Sequence, residues 1–148
     1  MKVDIQIDQN AQEPYAVIYA REVTGELFAL AQKWRAGERI SPYIIGYSDG
    51  AAALIRPQEI VRIYTQQKRV LLETAEHTYA IRQRLYEMMN MELGAQFVRI
   101  SQSEIVNFDR VKSFDISLAG SMAAKLDNGK TTFVSRRYVP QVKAYLGL

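Results

Sequence analysis

The chain has no cysteine and a single histidine, His77. Without thiols it can form no disulfide, no thiolate metal site and no cysteine nucleophile, and one imidazole excludes multi-histidine metal centres and most histidine-dependent catalytic pairs. No run of about 18 apolar residues occurs, so a membrane-spanning helix is not expected. The first ten residues alternate Asp and Gln with Val and Ile instead of presenting an apolar signal core, and a cytoplasmic location is expected. Walker-type and Gly-x-Gly-x-x-Gly phosphate loops are also missing. The carboxylates are dispersed, and Asp127-Asn128-Gly129 lacks the remaining ligands of a calcium loop and reads as a turn. His77, between two predicted strands, reads as a surface turn residue. No metal, cofactor, small-molecule substrate or enzymatic activity is therefore expected.

What is present is an ordinary globular composition: 148 residues, 48% hydrophobic and 24% charged, enough for one domain with a short appendage and a real core. Nineteen Lys and Arg against 16 Asp and Glu give a net charge of +3, which alone argues for no particular partner. Its distribution is uneven. Residues 1–96 carry 11 basic and 12 acidic side chains, whereas residues 97–148 carry 8 basic against 4 acidic, so the excess lies in the last third of the chain.

Val3, Ile5 and Ile7 alternate with Asp4, Gln6 and Asp8, the period of a strand, and Tyr15–Ala20 reads as a second. From Thr24, a candidate N-cap, Leu27, Leu30, Ala31 and Trp34 recur at helical intervals, with Gly37 as a stop. Beyond residue 42 the pattern changes to short strands divided by turns. They are expected over Tyr43–Ser48, Ala52–Arg56, Ile60–Gln66, Val70–Thr74 and Thr78–Arg82, then Phe97–Ser101, Ile105–Phe108, Val111–Leu118, Met122–Leu126 and Thr132–Ser135. Asp49-Gly50 and Asn128-Gly129 mark tight turns. One helix interrupts the strands, because Ile81, Leu85, Met88, Met89 and Leu93 share a helical face ahead of Gly94. Val139, Val142 and Leu146 predict a short last helix before Gly147.

Two polar, basic clusters stand at predicted strand ends: Arg99-Ile100-Ser101-Gln102-Ser103 and Ser135-Arg136-Arg137-Tyr138. Arginine forks match phosphates and guanine edges, glutamine matches adenine, and serine hydroxyls satisfy phosphate oxygens. A third basic pair, Lys68-Arg69, occupies the predicted turn between two earlier strands. Loops from separate hairpins can thus converge on one edge.

The stretch Phe97-Val98-Arg99-Ile100-Ser101-Gln102-Ser103-Glu104-Ile105-Val106-Asn107-Phe108, followed by Leu126-Asp127-Asn128-Gly129 and Val134-Ser135-Arg136-Arg137-Tyr138, closely resembles the LytTR DNA-binding domain, and the resemblance runs from about Arg39 to Gly147. It implies a mainly β fold with α elements: an elongated β-sandwich of short antiparallel strands, one mid-chain helix and a short C-terminal helix, here preceded by a small ββα piece. The chain then divides into an N-terminal extension, residues 1–37, and a DNA-binding domain, residues 38–148. The implied function is a sequence-specific transcriptional regulator whose edge loops enter successive major grooves of duplex DNA. Contacts are implied at Lys68 and Arg69, at Arg99, Ser101, Gln102 and Ser103, and at Arg136 and Arg137.

This chain departs from the family pattern at Gln102, often basic or asparagine, where glutamine favours adenine, and at Glu104, often aromatic. Asn107 and Tyr138 belong to the same motifs but also fit structural roles, bonding backbone at a strand end and packing the last helix. Repeated half-sites in operators point to a homodimer, and stand-alone members of the family are commonly restrained by a small membrane protein. The competing class is a protein-interaction or sensor module whose basic edge and N-terminal piece bind a partner protein.

Overall fold

Alternation and turn residues dominate the sequence beyond residue 42, and strands form there in the computed structural model. It describes residues 8–10, 12, 17–35, 43–91, 93–117 and 119–148, with residues 33–35 described by backbone alone. The chain divides into two units, Met1–Arg39 and Ile40–Leu148. In the first, helix α1 (Gly25–Arg35) starts at Thr24, whose Oγ1 accepts the Leu27 N–H at 3.3 Å, satisfying one of the unpaired donors of a helix start. Of the strand expected over residues 1–8 only Asp8 is described, outside any strand, and the stop at Gly37 falls outside the described residues. The strand expected over Tyr15–Ala20 is not formed at Val17–Ala20, which is exposed and irregular. Apolar residues alone do not make a strand; its backbone groups need a neighbouring strand to pair with.

The second unit contains ten antiparallel strands among the described residues. Seven form one sheet: β1 (Ile44–Ser48), β2 (Ala51–Ile55), β3 (Ile60–Gln66), β4 (Arg69–Thr74), β5 (Thr78–Ile81), β6 (Phe97–Ser101) and β7 (Glu104–Asn107), in the order β2-β1-β5-β4-β3-β7-β6. A smaller sheet has β8 (Val111–Ile116), β9 (Met122–Leu126) and β10 (Thr131–Val134), in the order β10-β9-β8. Asp49 and Gly50 take φ of 49° and 76°, the twist a two-residue hairpin requires.

Period-two alternation gives the large sheet two apolar faces. Ile44, Ile60, Ile63, Leu72 and Ile105 pack with Leu85 and Met88 of helix α2 (Leu85–Asn90). Val61, Val98, Ile100 and Val106 pack instead with Met122, Leu126 and Val134 of the small sheet and with Val139 and Val142 of helix α3 (Val139–Leu146). Each such burial stabilises the fold by about 1.5–3 kcal/mol. Gly147, at φ 73°, ends α3: its N–H bonds the Ala144 carbonyl and the Leu148 N–H bonds that of Lys143.

Helix α2 is shorter than its periodicity predicts. Ile81 belongs to β5, paired with Val70, and Leu93 packs on the same core from beyond the helix end. Ile81, Leu85, Met88 and Leu93 share a face because strand and helix residues line one core, whereas Met89, expected on that face, is exposed; the helix is capped at Met91, not Gly94. Among the described residues no helix is long and apolar enough to cross a membrane.

Candidate nucleic-acid interface

Strands β3 and β4 are joined by two residues, Gln67 and Lys68, with φ of 49° and 65°. Neither is glycine, so the left-handed geometry is strained by about 1–2 kcal/mol per residue. The tightness sets Lys68 and Arg69 at the tip, both exposed. The β6–β7 turn is held by its own side chains. Arg99 donates from Nε to the Ser101 carbonyl at 3.0 Å and from its terminal nitrogen to the Gln102 carbonyl at 2.7 Å. Ser101 Oγ accepts the Ser103 N–H at 3.2 Å. Gln102 and Ser103 are left exposed, while Arg99 and Ser101 are turned onto the loop they support. The third loop begins where the Ser135 N–H donates to the Ile100 carbonyl at 2.8 Å. A 3₁₀ turn, Arg136–Tyr138, follows, with both arginines exposed and Tyr138 packed on the core.

These loops share one edge. β3 lies beside β7 with Tyr64 opposite Glu104, which brings the β3–β4 and β6–β7 turns to the same end of the sheet. The Thr65 N–H donates to the Ser103 carbonyl at 2.8 Å, and the Ser135 bond ties the third loop to β6. All eight residues expected at the interface therefore lie in loops, or beside loops, that are hydrogen-bonded to one another. Pairing of Val70 with Ile81 adds Arg82 and Arg84, both exposed, at the Arg69 end. Their signal in the sequence is two arginines directly after a strand.

Unpaired cations are concentrated at this edge, though Arg56, Lys112 and Lys143 elsewhere in the unit also lack a carboxylate partner among the described residues. Arg62, Arg110, Lys125 and Lys130 each lie within 3.5 Å of a carboxylate. Among the described residues, Lys68, Arg69, Arg82, Arg84, Arg99, Arg136 and Arg137 have no such partner, and six of these seven are exposed. The edge thus presents cations whose charge is not cancelled locally.

Behind the edge, between the sheets, lies a buried polar network. Arg62 donates to Glu73 at 3.0 Å and to Glu104 at 3.1 Å. Glu73 also accepts from Asn128 and lies 3.2 Å from Lys130 Nζ, while Glu104 accepts from Thr132 Oγ1 at 2.7 Å. Burial acts to lower the Arg62 pKa, but the two carboxylates outweigh it and hold the guanidinium above its ordinary value. Two cations face two anions, so neither carboxylate is buried uncompensated. The network links β3, β4 and β7 to the β9–β10 hairpin, whose second strand leads into Arg136. Its signal in the sequence is inward-pointing charge: alternation along β3 and β4 turns Arg62 and Glu73 toward the small sheet.

Asn107 is fully buried and structural, donating to the Ile60 carbonyl at 2.8 Å and accepting the Asp109 N–H at 3.0 Å. His77 is exposed in a turn closed by Thr74. Among the described residues no three His, Asp or Glu are grouped to hold a metal ion.

Comparison with known proteins places this geometry. The family model described as LytTr DNA-binding domain matches residues 51–147. Two relatives from Staphylococcus aureus, strains NCTC 8325 / PS 47 and COL, each described as an uncharacterized HTH-type transcriptional regulator, are 26% identical over 148 residues, covering 100% of this chain and 99% of theirs. A solved structure described as a LytTr DNA-binding domain from Bacillus cereus has the same fold, with a TM-score of 0.69 at 19% identity over 72% of this chain and 98% of that one.

Proposed function

Because the chain belongs to the LytTR DNA-binding domain family, we propose that it is a transcriptional regulator whose basic edge binds duplex DNA, its three loops entering successive major grooves. The observation that carries this reading is the convergence of three hydrogen-bonded loops on one edge whose cations lack carboxylate partners among the described residues. Lys68 and Arg69 contact phosphates, while Gln102, Arg136 and Arg137 reach base edges; Gln102 selects adenine. Arg99 and Ser101 act through the turn they hold, and Arg99 adds positive charge beside it.

Affinity for promoter duplexes measured against salt concentration tests the proposal. About four to six neutralised phosphates give a log–log slope of roughly −4 to −5. Affinity that does not change with salt, or no binding to any duplex selected from a random pool, overturns it. The same reading makes the protein a cytoplasmic homodimer acting on repeated half-sites, with residues 1–37 as a separate segment that receives a signal, for instance from a small membrane protein. The exposure of Val17, Tyr19, Val23 and Phe28 supports a partner-binding role for that segment. Deleting residues 1–37 is expected to alter regulation or oligomeric state and to spare the DNA contacts.

A further inference from the structure

The described strand edges of the second unit differ in how they are guarded. Natural edges carry charges, prolines or covering segments, because an open row of N–H and C=O groups pairs with any strand it meets. β6 is covered by the Ser135 bond to Ile100, and β8 carries Lys112 and Asp115. β10 also has no charge of its own, but it runs directly into the Arg136–Tyr138 turn, so a second copy there would crowd the third loop of the basic edge. β2, at the margin of the large sheet, reads Ala-Ala-Ala-Leu-Ile. It has neither charge nor proline, and no described strand pairs with its outer side.

One side of the β1–β2 hairpin also exposes apolar side chains at its margin. Ile45 lies opposite Leu54, 42% and 67% exposed, while the half-buried Tyr47, opposite Ala52, is covered by the Arg82 guanidinium 4.7 Å from its ring. We propose that this edge is a dimer interface, with β2 of one copy pairing antiparallel with β2 of a second about a twofold axis at Ala53. The sequence of the strand is complementary to itself in that register. Leu54 falls opposite the partner's Ala52, a large side chain beside a small one, and this happens twice. Arg56, held over the Tyr43 ring at 5.7 Å, reaches the partner's Asp49-Gly50 turn, which places one ion pair at each end. An isologous contact of this kind closes after two copies. β2 and β6 lie at opposite margins of the sheet, so the paired edge leaves the β3–β4 and β6–β7 turns uncovered in both copies, with Arg82, packed on Tyr47, the DNA-edge cation nearest to it. The inference does not depend on DNA binding.

Sedimentation of the full chain across a concentration series, without DNA, tests it. The mass is expected to rise from that of one chain, 16.9 kDa, to that of two. Leu54→Lys, at an exposed site, should raise the dimer dissociation constant at least about tenfold. Asp49→Asn and Arg56→Gln should each weaken the dimer, and the double variant should be no weaker than the weaker single, because both remove the same pair. The cysteine-free background allows a direct probe: Ala53→Cys should form a disulfide-linked dimer under mild oxidation, since directly opposed strand residues lie within disulfide reach. A wild-type chain that stays monomeric at every concentration overturns the proposal. So does a dimer that neither responds to Leu54→Lys nor crosslinks at residue 53. Failure of the DNA titration, with these results intact, would remove the proposed function and leave the interface standing.

Discussion

Arg137 is exposed on a turn fixed by other groups, the Ser135 bond to Ile100 and the packed ring of Tyr138. Removing its side chain should therefore leave the fold in place. Arg137→Ala is expected to lower affinity for a selected duplex by about 1–3 kcal/mol and to relax base preference at one position, with an unchanged thermal midpoint. A variant that unfolds instead makes Arg137 structural. Arg62 predicts the opposite behaviour. Arg62→Leu leaves Glu73 and Glu104 buried without the cation they share, and a loss of about 3–5 kcal/mol in denaturant unfolding is expected. At this scale the loop placement of the exposed candidates Lys68, Arg69, Gln102, Ser103, Arg136 and Arg137 was legible, because basic and polar residues stand beside turn signals in the sequence. The bracing role of Arg99 was not, since it depends on the path of the β6–β7 turn returning two carbonyls to one guanidinium.

Elements were most legible where alternation ran unbroken between turn residues: β3, β6 and β9 span the ranges that pattern predicts. Legibility failed where one core is lined by two kinds of element, as with Ile81 and the start of α2, and where a strand needs a distant partner, as at Val17–Ala20. The β9–β10 hairpin is an intermediate case. Asn128-Gly129 marks it correctly, yet only Gly129 takes a positive φ, 86°. Asn128 closes the turn locally by accepting the Lys130 N–H at 3.1 Å, but its amide nitrogen donates to Glu73, 55 positions away in sequence, which no local turn rule contains. Gly129→Ala should accordingly destabilise the domain by about 1–2 kcal/mol through the left-handed backbone alone. Nothing lies within 4 Å of an added methyl group, so a larger loss in thermal or denaturant unfolding would contradict this account.

A net charge of +3 describes the whole molecule poorly, because four of its cations, Arg62, Arg110, Lys125 and Lys130, are neutralised in pairs while seven unpaired ones gather on one edge. Salt-dependent affinity should follow the unpaired set. Lys68→Ala is thus expected to reduce the salt slope by about 1 for duplexes of every sequence, whereas Lys125→Ala, which breaks the exposed pair with Asp115, should leave it unchanged. In the proposed dimer, two such edges would bind a duplex carrying two half-sites with an added gain from effective concentration, provided both sites can be reached together. The gain belongs to neither edge alone. Leu54→Lys should therefore weaken binding to a two-site duplex at protein concentrations where the wild type is dimeric, and leave affinity for a one-site duplex as it was. Equal losses on both duplexes would mean that the substitution acts within the domain, on the loops themselves, and would break the proposed link between the β2 edge and operator binding.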